Sequence, residues 1–194
     1  VESIDDSHVS VTLDQTVFYP QGGGQPYDTG TITTNNCTFR VSEVRFVDGI
    51  VNHIGSYESG ELQPGDTVNC SVDADRRAQN TRLHSAGHLL DMAVSQLGYG
   101  WQPGKGHHFP DSPYVEYELP DDYELDSEQV SGEIDAKCAE LVAANHPTRV
   151  QFMDRNELAT VCENVPAYIP PDKPARVVFY GNYGVPCGGT HVAQ

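Results

Sequence analysis

Two short motifs set the strongest limit on how this chain can fold. His84-Ser85-Ala86-Gly87-His88 lies mid-chain and Cys187-Gly188-Gly189-Thr190-His191 lies close to the C-terminus. Side chains at i and i+4 share a helix face, so His84 and His88 can aim their imidazoles at one point. Together with Cys187 and His191 they make a His₃Cys set, a full four-ligand complement for Zn²⁺. Taken singly each residue has an ordinary reading: a lone histidine beside an apolar stripe is a core or surface residue, and a lone buried cysteine is a small hydrophobe.

The sequence around these motifs is predicted to be α+β. Residues 1–73 read as a small β-barrel-like domain. Val9 to Leu13 alternates apolar and polar positions, and Val44–Val47, Asp48-Gly49, Ile50-Val51 is a hairpin signal. Pro64-Gly65-Asp66 is a further turn before a closing strand over 67–72. Residues 74–194 read as an α/β two-layer domain built around a long metal-bearing helix over 74–97. Asp73 or Asp75 caps that helix and Gly98 stops it, with Leu83, Ala86, Leu90, Ala93, Val94 and Leu97 as the buried stripe. A second helix is expected over 128–144, with Val130, Ile134, Cys138, Leu141 and Val142 buried and Asp126 and Gln129 as a capping box. A short third helix should follow Asp154, with strands at 114–119, 148–152 and 176–179.

The stretch Phe18 to Gly30 holds three consecutive glycines, Gly22-Gly23-Gly24, which permit unusual backbone angles and close approach of a ligand or another backbone. No Lys-Ser/Thr follows, so it is not a phosphate-cradling P-loop. A tight loop at a barrel corner is the plain structural alternative. The net charge is −17, from 28 acidic against 11 basic residues, which argues against a broad phosphate-binding surface and against DNA. The few cations cluster, however: Arg76, Arg77 and Arg82 head the histidine helix and Lys105 follows it, with His107 and His108 beside it. A local phosphate contact fits that cluster, while helix-surface pairing is the bland account of it. Five dispersed cysteines without a CxxC, no long apolar run and no signal segment read as an intracellular chain with no membrane partner. A cytoplasmic location is expected, an organelle not being excluded.

Arg82-Leu83-His84-Ser85-Ala86-Gly87-His88-Leu89-Leu90 and Cys187-Gly188-Gly189-Thr190-His191-Val192 resemble the two zinc motifs of alanyl-tRNA synthetase editing domains and of the free-standing AlaX editing proteins. The block Phe18 to Gly30 is similar to the glycine-rich motif of the AlaX form with an N-terminal β-domain. Threonyl-tRNA synthetase editing domains share such a histidine motif but carry Gly-Pro before the last histidine, where this chain has Gly189-Thr190. The resemblance implies a zinc-dependent deacylase, acting in trans on Ser-tRNA(Ala) or Gly-tRNA(Ala) at the aminoacylated 3′ end and sparing Ala-tRNA(Ala), as a monomer or homodimer. It implies His84, His88, Cys187 and His191 as metal ligands. Gln102 and Thr29, with Gly23 and Gly24, are the candidate catalytic residues. Arg76, Arg77, Arg82 and Lys105 are the candidate tRNA contacts. Relatives continue through a further β-hairpin, so a C-terminally truncated chain is expected. Three rival readings stand beside it: a non-catalytic zinc-stabilised RNA-binding or interaction module, editing of Ser-tRNA(Thr), and a zinc hydrolase of small esters or peptides. The last lacks an HExxH base, since Ser85 follows His84. The acidity then limits contact to the RNA terminus rather than excluding RNA.

Overall fold

The structure, a computed structural model, describes residues 1–4, 8–124, 126–167 and 169–194. It divides into two compact units, Val1–Asn80 and Thr81–Gln194.

The first unit is one antiparallel sheet of six strands: β1 (Glu2–Ser3), β2 (Val9–Thr12), β3 (Gly30–Thr33), β4 (Thr38–Val47), β5 (Ile50–Ser59) and β6 (Asn69–Val72), in the order β1-β2-β5-β4-β3-β6. The β4–β5 turn has the expected Asp48-Gly49 at its tip, both at positive φ (51° and 83°), with Val47 opposite Ile50. One face gathers Val11, Phe18, Ile32, Phe39, Val41 and Val44 into a core. The expected barrel does not close. Among the described residues β1 and β6 remain separate edges, and strands of two and four residues are too short to supply a closing ladder. Register shifts between Thr38 and Phe39 and between Val41 and Glu43 mark bulges in the central hairpin.

Helix α1 (Ala74–Leu97) starts in the first unit and runs through the unit boundary into the second. Asp73 caps it, its Oδ1 accepting the Arg76 N–H at 3.1 Å, and Gly98 ends it at φ 73°. Its buried positions match the expected stripe at Ala93 and Val94 but depart from it toward the helix start. Ala86 is exposed and Leu83 and Leu90 only half-buried, whereas His84, Ser85 and His88 are buried with Met92, Ala93 and Val94. Hydrophobic periodicity misses this face because its first half is polar.

The second unit contains the hairpin β7 (Gln102–His107) and β8 (Tyr114–Glu118), then α2 (Ser127–Ala144), β9 (Thr148–Met153), α3 (Arg155–Leu158), β10 (Ala175–Tyr180) and β11 (Tyr183–Pro186). The last three strands form an antiparallel sheet, β11-β10-β9. Central β10 is apolar on both faces: Val178 and Tyr180 pack with Met92, Ala93 and Leu141, while Val177 and Phe179 pack with Leu158, Cys162 and Ile169. The sheet is therefore covered on both sides, by α1 and α2 on one and by the α3 segment on the other. Strand β7 (Gln-Pro-Gly-Lys-Gly-His) carries no strand signal and pairs only through an irregular register with β8. In α2, Asp126 accepts from the Glu128 and Gln129 N–H groups, but Gln129 turns its side chain to Glu133 at 2.8 Å, so only half of the capping box forms. Val142, expected inside, is 64% exposed.

Candidate metal centre

Convergence comes from two local devices. Helical spacing stacks His84 and His88 on one side of α1, with ring centroids 5.0 Å apart. After β11 the chain turns at Cys187, where the Gly189 N–H donates to Cys187 Sγ at 3.3 Å and brings His191 round to the same sulfur. Thr81 and Thr190 hydroxyls meet at 2.7 Å, and the Val192 N–H donates to Ser85 Oγ at 3.1 Å, tying this C-terminal segment to α1. Cys187 Sγ then lies 3.4 Å from His84 Nε2 and 3.3 Å from His191 Nε2. One ligand atom from each of His84, His88, Cys187 and His191 falls within 4.8 Å of every other.

These side chains could hold a metal ion. Tetrahedral bonds to nitrogen and sulfur ligands place neighbouring donor atoms about 3.3–3.6 Å apart. The sulfur's separations from His84 Nε2 and His191 Nε2, 3.4 and 3.3 Å, come slightly short of the sulfur–nitrogen value of about 3.5–3.6 Å, and the four atoms together lie within 4.8 Å. His88 Nε2 is buried and has no hydrogen-bond partner among the described residues, as a lone pair reserved for a cation would be.

The electrostatics agree. Burial, reinforced by the neighbouring imidazoles, pushes His84 down to about 2, and burial with the charge on His88 pushes His191 down to about 3. Burial likewise lowers His108 to about 4. His88 goes the other way. Burial opposes its protonation, but the hydrogen bond to Asp91 and the nearness of Asp91 and Cys187 outweigh that and raise it to about 9. Burial thus keeps His84, His191 and His108 neutral, the form that ligates metals, whereas His88 must release a proton before its Nε2 can do so.

Residues outside the two motifs complete the surroundings. Asp91, three residues after His88 on α1, faces His88 Nδ1 at 3.4 Å and accepts the Tyr117 hydroxyl at 2.8 Å. Tyr180 Oη meets His191 Nδ1 at 2.8 Å, and Arg176 Nη1 donates to the Cys187 carbonyl at 2.6 Å. His108 stacks on His84 with centroids 4.5 Å apart and 20° between planes. Its slot is bounded by Gly87 and Gly106, where an added Cβ would crowd the imidazole. Of these only Asp91 carried a readable signal, the helical His-x-x-Asp spacing.

The other candidates fall as follows. Gln102 is exposed on β7, its Nε2 3.5 Å from the Gly100 carbonyl. Arg82 and Lys105 are exposed. Within the first unit, Gly22 and Gln25 exchange backbone hydrogen bonds around Gly23 (φ 54°) and Gly24 (φ 75°), a tight turn that glycine admits without strain. The turn is held from below. The fully buried Asp28 accepts the Tyr19 N–H at 2.6 Å and pairs with the Arg77 guanidinium, which also donates to the Val17 carbonyl. Arg76 donates from Nε to the Tyr27 carbonyl and lies over the Tyr27 ring. Both arginines thus have partners inside the first unit. Thr29 is half-buried, its carbonyl accepting the N–H of the cap residue Asp73.

The family model described as tRNA synthetases class II (A) matches residues 1–76. Along nearly the whole chain the sequence is 34% identical to an alanine–tRNA ligase of Methanothrix thermoacetophila over 191 residues, 95% of this chain and 20% of that protein. The chain is thus similar in sequence to part of these alanine–tRNA ligases. The corresponding ligase of Methanothermobacter thermautotrophicus is 35% identical over 186 residues (93% of this chain, 20% of that protein), and that of Bordetella petrii 32% over 194 residues (96% and 21%). The chain therefore spans about a fifth of the length of the alanine–tRNA ligases it matches.

Proposed function

We propose that this chain hydrolyses the ester of wrongly charged tRNA(Ala), releasing serine or glycine and sparing alanine, as a trans-acting editing enzyme with Zn²⁺ as its metal. The observation that carries this reading is the meeting of His84, His88, Cys187 and His191 within 4.8 Å in a relative of alanine–tRNA ligases. The family also gives such a site a reason to exist. A synthetic pocket for alanine cannot reject the smaller glycine by size and rejects serine only weakly, so a second inspection is required.

A zinc ion bound there would supply Lewis acidity or a grip on the substrate's polar groups. The chain's own residues have the remaining tasks. Sparing alanine requires a polar contact that only serine's hydroxyl satisfies, for which Gln102 and Thr29 are the candidates. Gly23 and Gly24, lacking Cβ atoms, let substrate approach the backbone closely. The exposed Arg82 and Lys105 suit the terminal phosphates, with Arg76 and Arg77 contributing positive potential from helix α1.

One observation favours a second reading. Four protein ligands fill a tetrahedral zinc shell, as in structural sites, which suits a non-catalytic RNA-binding or interaction module. Deacylation of Ser-, Gly- and Ala-tRNA(Ala), with and without chelator, separates the two. The editing reading expects turnover of the first two, loss of it with chelator, and loss of both zinc and turnover in His88→Ala and Cys187→Ala. Full zinc occupancy without any turnover would establish the module instead.

A further inference from the structure

A neutral imidazole carries one N–H and one lone pair, and only the nitrogen with the lone pair can ligate a metal. Which nitrogen stays bare is decided by the hydrogen bond that the other one makes. We propose that two outer hydrogen-bond chains, Tyr117–Asp91–His88 and Ser85–Tyr180–His191, act as positioning devices that hold both imidazoles in the Nδ1–H tautomer and so present bare Nε2 atoms to the centre. This rests on the metal reading above and names residues that neither zinc motif contains as ligands.

On the His88 side the logic is direct. A carboxylate can only accept, so the 3.4 Å approach of Asp91 Oδ2 to His88 Nδ1 requires the hydrogen on Nδ1. Tyr117 donates to Asp91 Oδ1 at 2.8 Å and fixes the carboxylate's orientation from β8. The opposite nitrogen, Nε2, is the buried atom without a partner among the described residues.

On the His191 side a hydroxyl takes the place of the carboxylate, and a hydroxyl can donate or accept. Ser85 removes that freedom. Tyr180 Oη lies 3.4 Å from Ser85 Oγ, which also receives the Val192 N–H at 3.1 Å. Tyr180 has one proton. Given to Ser85, it leaves the phenol oxygen able only to accept, and the 2.8 Å contact then puts the hydrogen on His191 Nδ1. His191 Nε2, 3.3 Å from Cys187 Sγ, is left bare. Two unlike chemistries, a carboxylate and a hydroxyl pair, thus give the same tautomer on opposite sides of the cluster. Ser85, set between the two histidines of α1, is part of the second chain rather than a spacer.

The test uses the zinc-free chain first. At a pH above 9, where His88 too is neutral, two-dimensional ¹⁵N NMR of the imidazoles should show Nδ1–H tautomers at His88 and His191, and the alternative tautomer at His191 in Tyr180→Phe or Ser85→Ala. Zinc affinity by chelator competition should then fall about 10–100-fold in folded Tyr180→Phe and Asp91→Asn variants, while the Co²⁺-substituted forms keep a tetrahedral spectrum. Nε2–H tautomers in the unaltered chain, or wild-type zinc affinity in both variants, would overturn the proposal. A chain that takes up no zinc would instead remove the metal reading, and the ¹⁵N shifts would still decide the tautomers.

Discussion

Replacing Gly87 by alanine would normally stabilise a helix by about 0.5–1 kcal/mol, because glycine in a helix interior carries the larger entropy cost. Here the methyl would overlap His108 Cε1 and lie 2.8 Å from its Nδ1. His108 cannot retreat sideways, since Gly106 bounds its slot closely enough that a Cβ there would sit 2.7 Å from Nε2, and its face rests on His84 at 4.5 Å. Overpacking of this kind costs about 1–3 kcal/mol. Subtracting the helix gain leaves Gly87→Ala about neutral to 2.5 kcal/mol less stable. Gly132 on α2 is the internal reference: it too is helical, and a methyl there meets nothing within 4 Å, so Gly132→Ala should gain the full 0.5–1 kcal/mol. At about 2–4 °C per kcal/mol for a chain of this size, thermal melting should separate the two variants by several degrees, with Gly87→Ala the lower. Displacing His108 should also disturb the stacked face of His84, so zinc affinity should fall in Gly87→Ala and stay unchanged in Gly132→Ala. Equal rises in Tm for both variants would refute the idea that a glycine slot seats His108.

In the first unit, Asp28→Asn leaves the buried end of the Arg77 pair without its charge and should cost about 2–4 kcal/mol, read as a lower urea midpoint; additive effects with Arg77→Gln would show that the two are not coupled. His53 is buried between the Val11 carbonyl (2.8 Å) and Thr16 Oγ1 (2.7 Å), and burial lowers its pKa. The unfolded chain therefore takes up a proton first as pH falls below about 6.5, and stability is lost on going down from there. Urea midpoints of the unaltered chain and of His53→Gln should converge as pH falls; a constant gap between pH 7.5 and 5.5 would contradict this. Adding a methyl at Gly55, where the Cβ would run into the Arg40 carbonyl and 3.1 Å from Phe39 Cζ, should abolish the β4–β5 pairing, visible as lost β-structure by circular dichroism. Finally, under the proposed deacylase function the −17 charge would confine contact to the RNA terminus, so deacylation should depend only weakly on salt; a steep slope would require a basic surface beyond these residues.

Local chemistry was readable wherever the deciding partner is close in the chain. Asp73 caps α1 because a carboxylate at that position reaches an N–H three residues on, and Asp48-Gly49 turns a hairpin because both accept positive φ. The helical pair His84 and His88 is legible for the same reason. Strand β7 was not, since proline and glycine argue against a strand and only its partner β8 makes it one. Nor was the polar first half of the buried face of α1. Its apolar stripe points one way while His84, Ser85 and His88 are buried by the returning Cys187–Val192 segment, which no window along the helix contains.

By itself, then, the sequence determined the three helices, the central hairpin, the α+β class, the four candidate ligands and the resemblance to alanyl-tRNA editing domains, all of which depend on spacing along the chain. Tertiary structure alone decided that the β-sheet of the first unit stays open and that Asp28 holds Arg77. It also decided that four ligand atoms meet within 4.8 Å with Asp91 and Tyr180 behind two of them. The physical reason is the same in each case. Sheet closure, a buried charge pair and a polar cluster are contacts between residues far apart in sequence, and their free energy depends on which surfaces exclude water together.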